Sequence, residues 1–177
     1  MSELLVDVDV LIEDPAWRSV PRIKALTARA VAAALAAAKP AHRRLAVCVA
    51  LVDDRAIARL NHDFRGLAKA TDVLAFPQLP GKLRAIATRL EAASRSRAPL
   101  GLGDVVVASR TAAEGARAAR VSLAHHVAHL IVHGTLHLLG HDHATLAETR
   151  RMRPLETAAL ASIGIADPWA TQEKRRT

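Results

Sequence analysis

Residues 133–143 read HGTLHLLGHDH, and a chain carrying that run has few ways to fold around it. Seven of the nine histidines lie between positions 125 and 143, a density that random placement does not explain. His133 and His137 are four residues apart, so on a helix their imidazoles share one face, one turn apart. Gly140 suits a left-handed exit from that helix. Three residues later His143 can swing back toward the other two. Three neutral nitrogen donors arranged this way suit a tetrahedral Zn²⁺ with one position left open. Water in that position has its pKa lowered from about 15.7 to about 7. The expectation is one zinc per chain on His133, His137 and His143, with another divalent transition metal as the substitute.

The spacing matches long zinc-protease motifs, in which a glutamate after the first histidine is the general base. Here that position is Gly134, which can move no proton, so peptide hydrolysis by that route is disfavoured. His129 falls one turn before His133 on the same face. It can line the cleft, contact substrate, or hold a ligand ring from behind. His141 lies between the ligands and reads as loop surface or a spare ligand. Asp142 can orient a ligand ring or sit exposed in the turn. His42, His62, His125 and His126 read as incidental.

The rest of the chain supplies a frame for this helix. Residues 3–12 alternate and read as a strand, ended by Asp14 and Pro15. Pro21 suits a helix start, Ile23, Leu26, Ala30, Val31 and Leu35 keep helical spacing, and Pro40 closes the element. Residues 45–52, LAVCVALV, form a continuous apolar run that predicts a strand buried on both faces. Asp53 or Asp54 can cap a short helix carrying Ile57 and Leu60. Asp72–Phe76 has a strand-like core, and Pro77 suits a sheet edge. Residues 81–101 are Arg- and Ala-rich with weak periodicity and read as a mobile insertion or a short helix. Residues 103–109 form a strand, and Ser109 can cap the helix after it. Ser122 starts the histidine helix, which runs to about Leu139. Thr145 and Glu148 have capping-box spacing, and the last helix carries Met152, Leu155, Ala159 and Ile163 before Gly164. The tail, about 168–177, is charged and expected to fray. The fold expected is α+β over residues 1–177. It is a single compact domain with a small mixed four-stranded sheet, about five or six helices and a central histidine-bearing helix.

Composition narrows the partners. The net charge of +8 favours a polyanion, since Lys and Arg that neutralise phosphates release counterions. Only two Phe, two Trp and no Tyr are present, so base stacking cannot dominate nucleic-acid binding, and phosphate contacts with steep salt sensitivity should. The single cysteine, Cys48, excludes an intrachain disulfide and reads as a small buried hydrophobe. The longest apolar stretch, from Ala25 to Ala38, is interrupted by Arg29 and is too short to cross a bilayer. The acidic, alternating start lacks a basic region and a continuous apolar run, so no secretory signal is expected and the cytoplasm is.

Four segments then resemble those of a known family. HGTLHLLGHDH resembles the signature of the bacterial YbeY endoribonucleases, the ribosomal RNA maturation factors. NHDFRGLAKATDVLAFP resembles that family's block of a short helix, an Arg-Gly and a TDVLSFP-like strand. LGDVVVAS is similar to its LGDIVIS strand, and the closing helix with Pro154-Leu-Glu156 resembles its E-rich one. The resemblance covers roughly residues 45–165. It implies a compact α+β domain with a histidine helix beside a basic cleft, and one zinc on His133, His137 and His143. It also implies cleavage of single-stranded RNA, with roles in maturing the 3′ end of small-subunit (16S) ribosomal RNA and in late ribosome quality control. The small subunit is then a partner, and neither a membrane nor a nucleotide cofactor is expected.

The resemblance further implies that Arg65 matters, and a planar guanidinium suits bidentate phosphate contact. His129 and Asp142 are the candidates for moving a proton. Arg84, Arg89, Arg95 and Arg97 read as an extended basic surface or a solvated helix face. Two positions depart from the family: His141 where it usually has tyrosine, and Ala75 where it usually has serine. Two other readings stay open, a zinc hydrolase of another substrate and a ribosome-assembly factor whose zinc is structural.

Overall fold

The computed structural model describes residues 4–168; the charged tail expected to fray lies beyond them from residue 169 on. Four strands form one mixed sheet in the order β1-β2-β4-β3, where β1 is Leu5–Ile12, β2 Arg44–Val52, β3 Val73–Pro77 and β4 Leu100–Ala108. The pairs β1–β2 and β2–β4 are parallel, and β3 runs antiparallel to β4 as an edge strand. That position admits Pro77, which has no amide to donate. Beside a short 3-10 helix at Pro15–Ser19, the described residues form six α-helices: α1 Ile23–Ala38, α2 Asp54–Arg65, α3 Leu83–Ala93, α4 Ser109–Ala119, α5 Leu123–Leu138 and α6 Leu146–Ser162. The α+β expectation is met.

The core lies between one sheet face and α1, α5 and α6. Leu45, Val47, Val49 and Leu51 of β2 are buried against Val31 and Leu35 of α1 and Ile131 of α5. The opposite face differs from expectation. Ala46, Cys48 and Ala50 are only half-buried, because α2 covers only one end of that face, where its Ile57 packs with Val52, Leu74 and Val106 of the strands. The run is apolar throughout because small residues tolerate half-open positions, and the apolar character alone concealed a period of two. Cys48 is therefore half-buried, and burial, Asp104 and Asp9 all push its thiol up.

Residues 81–101, left between an insertion and a helix, contain α3 and the first residues of β4, three residues earlier than the pattern suggested. Gly103 takes φ 127° beside a register shift in the β2–β4 pairing, a bulge that hides the strand's first turn of alternation. Ser109 is not the cap of α4. Asp54 at the start of α2 accepts from the Arg110 and Thr111 amides at 3.0 and 3.1 Å, and the Ser109 hydroxyl bonds Asp14 instead.

Two ends bear on the site. Ser122 caps α5 by accepting from the His125 amide at 3.1 Å. Thr145 and Glu148 form the reciprocal capping box of α6, directly after His143. Replacing Thr145 with alanine is expected to cost about 1 kcal/mol, read as a lower urea midpoint with an unchanged slope.

Candidate metal centre and its cleft

Helix α5 is nearly submerged. Val127, Ala128, Ile131, Val132, Leu136 and Leu138 are fully buried, and the histidines form the one polar stripe along it. Gly134 explains how the helix sits so close to the sheet: a Cβ there would lie 2.7 Å from Cγ1 of Val105. The position that matches the protease glutamate is therefore a packing contact with β4, and a side chain there requires Val105 or the helix to shift. At the other end Gly140 adopts φ 84°, and an added Cβ would lie 2.5 Å from the Leu83 nitrogen. That nitrogen donates to the Gly140 carbonyl at 3.1 Å. The start of α3, anchored by buried Ile86 and Leu90, thus braces the turn from which His143 folds back. The Thr149 hydroxyl donates to the His143 carbonyl at 3.2 Å from the other side.

The result is convergence. Among the described residues, His133, His137 and His143 form a group whose ligand nitrogens all lie within 4.8 Å of one another. The Nε2 atoms of His133 and His137 are 3.0 Å apart, and the His143 ring centroid is 5.1 and 5.2 Å from theirs. A group of this kind can bind a metal ion, since its three imidazole nitrogens lie close enough to share one. Burial, followed by the charges of His133 and His143, lowers the His137 pKa to about 4. Its ring is therefore neutral, with a lone pair to give, at any pH near 7.

Glu156 on α6 completes the centre, and the sequence reading gave it no role. Its side chain is 2% exposed, and Oε1 accepts from Nδ1 of His133 at 2.7 Å and lies 3.5 Å from Nε2 of His129. Burial alone would raise its pKa; hydrogen bonds from His129 and His133, with their charges, outweigh it and bring the carboxyl down to about 2. An Nδ1–H donated to Glu156 leaves Nε2 of His133 as the unprotonated nitrogen facing the other two rings. A signal was available. Met152, Glu156, Ala159 and Leu160 share the buried stripe of α6, so the glutamate occupies a core position in the helical period.

A cleft of about 600 Å³ opens over the three histidines, and Arg65, Thr71, Asp72, Lys82 and His141 also line it. Arg65 is the last residue of α2, and Gly66 leaves that helix at φ 69°, turning the chain toward β3. The exposed Arg65 is thereby brought to the same cavity as the histidines. His129 is not among the cleft-lining residues and meets the centre through Glu156. His141 lines the cleft and burial lowers its pKa, yet it is outside the converging group. Asp142 accepts from the His143 amide at 2.8 Å, which shapes the turn; that bond and then nearby histidine charges hold its pKa low against burial. Lys82, Arg84 and Arg151 line an adjoining groove. Of the histidines read as incidental, His42 is buried and its Nε2 sits 3.1 Å from the Ala98 carbonyl, tying down the approach to β4.

Comparison with known proteins agrees on one family. The family model described as endoribonuclease YbeY matches residues 12–164. An endoribonuclease YbeY from Sphingopyxis alaskensis is 44% identical over 161 residues, covering 90% of each chain. One from Novosphingobium aromaticivorans is 39% identical across 98% of this chain and 100% of its own. One from Paramagnetospirillum magneticum is 38% identical across 94% and 98%.

Proposed function

The chain belongs to the YbeY endoribonuclease family, and we propose on that footing that it is a zinc-dependent endoribonuclease specific for single-stranded RNA. Its proposed task is maturation of the 3′ end of 16S ribosomal RNA and late ribosome quality control, in the cytoplasm and in contact with the small ribosomal subunit. One domain over residues 1–177 carries this activity. Among the described residues no helix is long and apolar enough to cross a membrane.

The observation that supports this reading most is a shared cavity. Three imidazoles converging within 4.8 Å and the exposed guanidinium of Arg65 line one cleft. Zinc is the proposed ion because three neutral imidazoles with an open fourth position are a familiar catalytic zinc set. When bound, it would supply Lewis acidity toward a phosphoryl oxygen and an acidified water. His133, His137 and His143 hold it. Glu156 fixes the His133 tautomer, and Arg65 neutralises and orients the scissile phosphate through two parallel N–H bonds. Lys82, with Arg84 and Arg151 in the adjoining groove, extends the positive rim along which the strand's backbone lies.

The test is cleavage of a single-stranded 16S 3′-end fragment by zinc-loaded protein, beside a fully duplex control. Preferential cutting of the single strand, abolished by chelation and restored by zinc, is the expected result. A protein that binds ribosomes tightly yet cleaves nothing with any divalent metal would replace this reading with an assembly factor whose metal is structural. Arg65→Ala is expected to lower kcat/KM about tenfold, the worth of a charge-assisted phosphate contact. Its zinc content should stay at the wild-type level, which separates substrate binding from metal binding.

A further inference from the structure

The two phenylalanines of the chain lie against each other at a point the metal centre does not use. Phe64 on α2 and Phe76 on β3 meet with ring centroids 4.9 Å apart and an interplanar angle of 60°. Phe76 is half-buried, but Phe64 is 68% exposed and Leu67 beside it 58%. Among the described residues, the more exposed phenylalanine ring comes immediately before Arg65, the residue that enters the cleft.

Strand geometry fixes the relation between ring and cleft. Val73, Ala75 and Pro77 of β3 line the metal cleft, and alternate side chains point to opposite faces. Leu74 and Phe76 accordingly pack on the other face, with α2. Since β3 is the edge strand, only its width separates the cleft from the ring pair. Pro77 lines both the metal cleft and the groove on the Phe76 side, so the two depressions meet at that edge. Phe64 immediately precedes Arg65, which lines the metal cleft.

The chemistry around the ring favours a nucleobase. Phe76 packs against Phe64 with the ring planes at 60°, leaving much of Phe64 open to solvent. Exposed Arg65 and Lys69 stand in the same turn region and suit a phosphate backbone. We propose that the exposed face of Phe64 is a stacking site for one base of the single strand, adjacent to the phosphate held by Arg65. This rests on the RNA-cleaving function proposed above. It adds a contact available only to unpaired bases, because a base inside a duplex offers no free face, and so it contributes to single-strand preference. A stacking contact tolerates any base.

The test is fluorescence anisotropy of a labelled single-stranded RNA oligonucleotide, with EDTA present so that the strand survives. Phe64→Ala and Phe64→Leu should each weaken binding roughly five- to tenfold, the lower range for one aromatic–base stack. Phe64→Trp should bind at least as tightly as wild type. An oligonucleotide of abasic residues should bind all four proteins equally. Binding of Phe64→Ala within twofold of wild type would overturn the stacking site and leave the nuclease reading standing. So would a leucine variant that equals phenylalanine, or an abasic strand that still distinguishes the variants. A Phe64→Ala protein that binds RNA normally but no longer co-sediments with ribosomes would move the site to a protein partner and overturn the proposal. Wild-type protein with no affinity for single-stranded RNA in EDTA, and no cleavage of it when zinc-loaded, would remove both this site and the nuclease reading.

Discussion

Replacing His137 with alanine is expected to abolish both metal binding and RNA cleavage while leaving the apo fold intact. The neighbours of His137 explain the second half. Leu136 and Leu138 are fully buried and hold α5 in place, and alanine is the best helix former available. The ring itself is neutral in the fold, with burial bringing its pKa down to about 4. Losing it therefore removes a group that acid would charge at a cost, and resistance to unfolding below pH 6 should rise slightly in the variant. The metal behaves oppositely. Disturbing a partner of a ligating histidine costs about 10- to 100-fold in affinity, so deleting one of three donors should cost more than about 100-fold. Wild-type protein at a zinc concentration of 100 times Kd gains about 2.7 kcal/mol of stability, and the variant should gain less than about 0.4 kcal/mol. Thermal unfolding with EDTA and with zinc, beside cleavage of the single-stranded fragment, reads all three effects. Undiminished cleavage by His137→Ala would remove the metal mechanism altogether.

Much of this centre is legible in the sequence because its parts are local. The i, i+4 histidines, the Gly140 exit and the Thr145–Glu148 capping box each lie within one or two helical turns, where spacing dictates geometry. What escaped the sequence depends on partners far along the chain. Helix α3 buries mainly Ile86 and Leu90, too few apolar positions for a clear period, and its role of bracing Gly140 exists only once α5 is in place. Ser109 looks like a cap, yet Asp54, 56 residues earlier than Arg110, takes that task. The apolar run of β2 gives no hint that one face stays half-open, since alanine and cysteine serve on either side. Arg65 is legible only through the family pattern, because nothing local says that an arginine at a helix end turns into a cleft. Phe64 shows the converse: scarcity of aromatics points to phosphate-led recognition, but composition cannot say that the two phenylalanines meet.

Glu156 carries the second large expected effect, because a buried carboxylate with histidine partners serves stability and metal binding through one atom. Its pKa falls from an ordinary 4.5 to about 2 despite burial, owing to His129 and His133. A depressed carboxyl stabilises the fold fully above its unfolded value and loses that contribution as pH drops from about 4.5 toward 2. Glu156→Gln keeps an oxygen that can accept from Nδ1 of His133 but removes the charge, so the pH-dependent loss of stability in that window should shrink. Zinc affinity should fall roughly 10-fold, since a neutral amide raises the basicity of the ligand ring less than a carboxylate does. Glu156→Ala also strands the Nδ1–H in a buried site, which costs about 1–3 kcal/mol of stability. The freed ring can then rotate or change tautomer, and zinc affinity should fall toward 100-fold. Urea unfolding from pH 2 to 7 in EDTA measures the first effect, and competitive zinc titration at pH 7 the second. A glutamate that only filled space would lower stability in the alanine variant, leave zinc affinity at the wild-type value in both, and show no difference between alanine and glutamine toward the metal. The ranking wild type, glutamine, alanine in zinc affinity is what the 2.7 Å bond to His133 requires.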